Sequence, residues 1–185
     1  QPRRQRQMCI RDSPNILSVS RVVFLIPIIL LFENEFFLLS IIFYVIAAVT
    51  DYLDGYFARK NNQTSDFGAL LDLLSDKLFV SILLIWMTFN FESKIIFISS
   101  ILIVSREISI SYLRLFIVSK SKQLSEVKSD LLGKYKTAIQ MSGLGLILIT
   151  PITPKVIMDL SLVLISLSAL ISWYSLIKYS NKWIV

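Results

Sequence analysis

The sequence predicts an all-α, polytopic membrane protein with six transmembrane helices. Three observations carry this expectation. The hydrophobic fraction is 55% and the mean hydropathy +0.68, whereas soluble domains run nearer about 45–50% apolar. The apolar residues gather into runs close to the length a helix needs to cross a bilayer. The basic residues, which give a net charge of +6, collect beside those runs, as they do at the cytoplasmic flanks of membrane proteins. The runs must be helical, because lipid cannot satisfy the hydrogen bonds of an open strand or loop.

The first run extends from Ile16 to Phe32, the second from Phe36 to about Arg59, and the third from Phe67 to Phe89. The fourth extends from Lys94 to about Val118, the fifth from Lys134 to Ile149, and the sixth from about Val156 to Tyr179. Arg59 and Lys60 follow the second run; Lys120, Lys122, Lys128 and Lys134 lie between the fourth and fifth; Lys178 and Lys182 follow the sixth. The alternate loops are poor in positive charge, holding Glu33 and Glu35, then Glu92 with Lys94, then Lys155. The positive-inside rule therefore puts both ends and the basic loops in the cytoplasm. The polar stretch from Ser119 to Asp130 reads as a cytoplasmic loop or a short surface helix.

Residues 1–13 stand apart. QPRRQRQMCIRDS has basic residues but no apolar stretch, so it does not resemble a signal peptide. The piece from Arg3 to Asp12 matches the translation of a string that resembles the transposon-end adapter of sequencing libraries. Residues 1–13 are therefore read as non-native adapter sequence and residues 14–185 as one membrane domain.

Composition excludes several chemistries. The chain contains no histidine, which removes Ser-His and Cys-His catalysis and any histidine-built metal site. The one cysteine, Cys9, cannot form an internal disulfide or a zinc cluster. A metal would have to be held by oxygen, which favours Mg²⁺, Mn²⁺ or Ca²⁺. The basic residues do not form the stripe on a soluble fold that nucleic-acid binders show, so no nucleic-acid partner is expected. An anionic lipid or a phosphorylated substrate fits better.

The stretch from Asp51 to Asp76 concentrates the chemistry. Asp51, Asp54, Gly55 and Ala58 follow an i, i+3, i+4, i+7 spacing, which places them on one helix face. Gly68, Asp72 and Asp76 recur every four residues on the next helix. The short loop between them makes the two helices antiparallel neighbours. Each aspartate at a membrane helix centre costs roughly 2.5–3.5 kcal/mol, less near the interface. Two carboxylates about 4 Å apart repel by roughly 4 kcal/mol at an effective dielectric of 20. A divalent cation removes both costs, and four carboxylates can hold two cations with a shared ligand. Small residues at Gly55, Ala58 and Gly68 leave room for a nucleotide, and Arg59 offers a fork for phosphate. A helix–helix interface would explain the small residues but not the aspartates.

Asp51-x2-Asp54-Gly55-x2-Ala58-Arg59, eight residues, then Gly68-x3-Asp72-x3-Asp76 resembles the signature of the CDP-alcohol phosphatidyltransferases. The resemblance covers nearly all of the chain after Ser13. It implies six transmembrane helices, a homodimer, a bacterial inner-membrane location and an active site facing the cytoplasm. It implies that Asp51, Asp54, Asp72 and Asp76 hold metal, two ions of Mg²⁺ or Mn²⁺, and that Asp76 is also the general base. It implies that Gly55, Ala58 and Gly68 border the cytidine nucleotide of a CDP-lipid and that Arg59 contacts its phosphates.

Three further stretches, PNILSVSR (Pro14 to Arg21), SREISISYLR (Ser105 to Arg114) and GKYKTAIQ (Gly133 to Gln140), are similar to those of family members that join CDP-diacylglycerol to glycerol 3-phosphate. On the fourth helix Glu107, Ser111 and Arg114 share a face, with Arg106 beside them. Arg106, Arg114 and Lys134 are the residues expected to bind the acceptor's phosphate, with Lys136 and Arg21 as weaker candidates. The plainer alternative pairs Arg106 with Glu107 or an aspartate and makes the lysines interface anchors. Members that accept phosphatidylglycerol or serine are the rival readings; outside the family, a metal-binding transporter or scaffold is another. One departure is local: where this subgroup usually has Asp-Pro-x-Ala-Asp-Lys, the chain has Leu73 and Ser75 within Asp72 to Lys77.

Overall fold

A computed structural model describes the backbone of residues 20–61, 66–121 and 131–184, and the side chains of residues 20–50, 74–113, 116 and 135–181. The described residues are helical and contain no β-strand. Helix α1 occupies residues 20–33. It is followed by α2 (Phe37–Asn61), α3 (Asp66–Phe91), α4 (Lys94–Ser121), α5 (Leu131–Ile149), a 3₁₀ turn (Thr150–Ile152) and α6 (Lys155–Ile184). Each of the six apolar runs thus has its helix. The helices outlast the apolar runs by a few residues, because the backbone ladder continues into the polar flank where water takes over from lipid. The start of the first run lies outside the described residues, as do residues 122–130 of the polar stretch.

Among the described residues, three helical stretches are long and apolar enough, by length and composition, to cross a membrane: Leu74–Phe91, Lys94–Leu113 and Lys155–Asn181. Phe37–Thr50, the part of α2 with described side chains, is a shorter apolar stretch.

The chain falls into two compact units, one ending at Leu83 and the other beginning at Leu84. In the first, Leu25, Ile28 and Phe32 of α1, Tyr44 and Ala47 of α2, and Phe79 and Leu83 of α3 are buried. Tyr44 and Phe79 stack with ring centroids 6.0 Å apart. Phe24 meets Phe43 at 6.1 Å, and Phe32 meets Phe37 edge-on at 5.0 Å. Buried Ser40 donates from Oγ to the carbonyl of Ile28 at 2.8 Å, binding α2 to α1 through a satisfied polar group. The turn between them ends α1 in a Schellman motif: the Phe36 amide donates to Leu31 (2.8 Å) and the Glu35 amide to Phe32 (3.0 Å). Glu35 takes φ 64°, a place that favours glycine.

In the second unit, α6 packs against both α4 and α5. Its buried face is built from small residues, with Ser161, Ser168, Ser172 and Ala169 around Ile165. Small residues let backbones approach where no water-driven force pulls helices together. Gly143 of α5 shows how close the approach is: a Cβ there would lie 2.8 Å from Ile165 Cγ1 and 3.4 Å from the Ile165 amide nitrogen. Hydrogen bonds reinforce the seam. Trp173 Nε1 donates to the Leu102 carbonyl at 3.0 Å, and the Ser99 and Ser166 hydroxyls lie 3.4 Å apart. The opposite face of α6 exposes Leu160, Val163, Leu167, Leu170, Tyr174 and Ile177. Small polar groups inside and bulky apolar groups outside suit a helix whose solvent is lipid.

Candidate active site

Positions Asp51, Asp54, Gly55, Ala58 and Arg59 fall on the continuous helical backbone of α2, and Gly68, Asp72 and Asp76 on that of α3. The one-turn spacing that the sequence implies is therefore present in each helix. The side chains of Asp51, Asp54, Gly55, Ala58, Arg59, Gly68 and Asp72 lie outside the described residues. Among the described residues no group of three or more acidic or cysteine side chains converges to hold a metal. Asp76 is described, and its side chain is 43% exposed.

Asp76 has a partner that the spacing does not reveal. Its carboxylate forms an ion pair with Nη1 of Arg21 on α1, whose side chain is only 3% exposed. Arg21 continues the buried stripe of α1, one turn before Leu25 and two before Ile28. On α3, Asp76 is followed one turn on by Phe79 and two turns on by Leu83, both buried. Ser75, in place of the subgroup's alanine, is also buried and is small enough for the same packing.

The expected acceptor residues divide in the same way. Arg114 and Lys134 lie outside the described side chains. Arg106 is buried in the second unit. Its Nε donates to the Ser172 carbonyl of α6 at 3.1 Å, and its Nη1 donates to Oε1 of Glu107 at 2.9 Å. The same Oε1 accepts from Nζ of buried Lys136 on α5. One carboxylate oxygen thus receives two buried cations. It links α4, α5 and α6. The pairing of Arg106 with Glu107, one of the sequence alternatives, is present. Lys136 joins them as a buried partner rather than an interface anchor. A signal for it was available: Lys136, Gln140, Leu144 and Ile147 recur at helical spacing, and all four are buried.

Comparison with known proteins decides the family. The profile of the CDP-alcohol phosphatidyltransferase family matches residues 11–176. The chain belongs to this family. A relative from Wigglesworthia glossinidia brevipalpis named CDP-diacylglycerol–glycerol-3-phosphate 3-phosphatidyltransferase is 36% identical over 90% of this chain and 91% of its own length. Relatives of the same name from Pectobacterium atrosepticum and Haemophilus influenzae are 32% and 39% identical, covering 91% and 71% of this chain and 92% and 72% of their own lengths. As a CDP-alcohol phosphatidyltransferase with apolar helices of membrane-crossing length, the protein is an integral membrane enzyme. The match runs through both units, so the Arg21–Asp76 pair and the Arg106–Glu107–Lys136 cluster both lie inside the family domain.

Proposed function

We propose that the protein transfers the phosphatidyl group of CDP-diacylglycerol to sn-glycerol 3-phosphate, giving phosphatidylglycerophosphate and CMP. The observation that carries this is the common name of relatives that match most of the chain, joined to the complete aspartate spacing.

Asp51, Asp54, Asp72 and Asp76 would hold two divalent cations, Mg²⁺ or Mn²⁺. The donor set fits, since it offers only hard oxygen atoms at helical positions one turn apart. Bound cations supply charge neutralisation for the pyrophosphate and the departing CMP. Asp76 takes the proton of the acceptor hydroxyl, whose oxygen then attacks the lipid-linked phosphorus; the bond from that phosphorus to CMP breaks. Arg59 holds the nucleotide phosphates, while Gly55, Ala58 and Gly68 leave space for the cytidine. Arg106, Arg114 and Lys134 take the acceptor's own phosphate. Arg106 is suited to this because Ser172 and Glu107 fix Nε and Nη1, which leaves Nη2 for a ligand. The six helices would all cross a bacterial inner membrane, with the aspartates on the cytoplasmic side, and the enzyme would work as a homodimer. The loop charges and the family resemblance support these last points.

An acceptor panel tests the reading. Vesicles containing CDP-diacylglycerol and the purified protein are offered glycerol 3-phosphate, phosphatidylglycerol or serine in turn, and the lipid product is identified. Phosphatidylglycerophosphate from the first acceptor alone is expected; a product only from another acceptor would move the specificity elsewhere in the family.

A further inference from the structure

We infer that Arg21 is a positioning residue for Asp76, fixing the carboxylate that accepts the proton; the inference rests on the function proposed above. Its ground is an asymmetry of exposure. Asp76 is 43% exposed on its side chain, open enough to meet a substrate, while the Arg21 side chain is 3% exposed. Both Nε and Nη1 of Arg21 are sealed from solvent. From within that enclosure Nη1 reaches the carboxylate of Asp76.

The surrounding packing gives the contact its rigidity. Arg21 sits at the head of the α1 stripe formed with Leu25 and Ile28, and Asp76 at the head of the α3 stripe formed with Phe79 and Leu83. Tyr44 of α2 stacks on Phe79 one turn beyond Asp76. Rotation of either stem would disturb a buried stripe, so the fork of Arg21 meets Asp76 from a fixed direction. Helix α1, which carries none of the four aspartates, thereby sets the orientation of one of them. The planar guanidinium holds a direction that a lysine ammonium, a point charge on a flexible stem, does not.

The test compares Arg21→Met, Arg21→Lys, Asp76→Asn and the double variant Arg21→Met/Asp76→Asn. CMP release gives kcat and KM for both substrates, and Mn²⁺ binding is followed by electron paramagnetic resonance. With Arg21→Met, kcat falls by up to about 100-fold, the cost of a displaced catalytic group, while both KM values stay within about threefold. Arg21→Lys recovers part of kcat. Mn²⁺ binding weakens no more than it does in Asp76→Asn, and Arg21→Met costs almost nothing further when Asp76 is already asparagine. A rise in KM for either phosphate-bearing substrate with kcat preserved would make Arg21 a substrate ligand and overturn the inference. So would a loss of Mn²⁺ binding greater than that of Asp76→Asn, or an undiminished cost in the Asp76→Asn background. If Arg21→Met does not fold, Arg21→Lys decides alone: unchanged kcat overturns the inference, and reduced kcat with constant KM supports it. The wild-type arm keeps the two claims separate, because absence of glycerol 3-phosphate-dependent CMP release there contradicts the proposed function and not the positioning role.

Discussion

In the second unit, Glu107 is shared by two cations. It accepts from Arg106 and Lys136 at one oxygen, and all three side chains are largely enclosed. Glu107→Gln would remove the carboxylate that both cations share, whereas Lys136→Met would leave the Arg106–Glu107 pair in place. Breaking a buried pair by removing one partner costs about 3–5 kcal/mol, so Glu107→Gln should lower the thermal midpoint clearly more than Lys136→Met. Equal midpoints in a detergent melt would contradict the shared-anion arrangement. For Asp76, replacement by asparagine should reduce kcat by at least about 100-fold, the usual contribution of a general base, with the fold retained in the same melt. The one-turn spacing within each aspartate pair was legible because it is local to one helix, Asp51 and Asp54 falling on α2 and Asp72 and Asp76 on α3. The Arg21–Asp76 and Glu107–Lys136 pairs were not. Each joins different helices, and which turn of one helix faces which turn of another depends on packing that local periodicity does not encode. The carboxylates of Asp51, Asp54 and Asp72 stand on sequence spacing, helical backbone and family membership together.

At the scale of the element, the two units use different devices. Helices α5 and α6 meet through small side chains, and Gly143 marks their close approach because a Cβ there runs into Ile165. Gly143→Val should destabilise by about 1–3 kcal/mol through overpacking, read as a lower thermal midpoint; an unchanged midpoint would show that the approach can relax. At the α1–α2 turn the opposite change helps. Glu35 holds φ 64°, a conformation that costs an L-residue about 1–2 kcal/mol and glycine nearly nothing. Some of that gain is lost to the greater freedom of glycine in the unfolded chain. Glu35→Gly should therefore raise stability by up to about 1 kcal/mol, and a fall would contradict the Schellman cap. All six helices were legible as apolar runs. Their ends were less so, since α2 runs on through Asn61 and α5 begins at Leu131, within polar sequence where hydropathy gives no boundary. Glu35 in a glycine place was hidden for another reason: the cap is made by backbone hydrogen bonds, and the side chain does not announce it.

At the scale of the whole molecule, the asymmetric loop charges support the proposed orientation. With Cys9 replaced, single cysteines at Asn62 and Ser125 should be labelled from the cytoplasmic side, and those at Asn34 and Ser93 from the opposite side. Labelling of Asn62→Cys and Asn34→Cys from the same side would break the six-span arrangement and the cytoplasmic placement of the aspartates. The membrane character was legible from composition alone. The expected acceptor was legible too, in the stretches Pro14 to Arg21, Ser105 to Arg114 and Gly133 to Gln140, and glycerol 3-phosphate is the acceptor that the relatives' names print.

The most direct measurement is CMP release from CDP-diacylglycerol by the purified protein in detergent, with and without glycerol 3-phosphate. Expected is release that requires glycerol 3-phosphate, yields phosphatidylglycerophosphate, stops on chelation and returns with Mg²⁺ or Mn²⁺. Release that ignores glycerol 3-phosphate, or that survives complete chelation, would contradict a metal-dependent transfer to that acceptor.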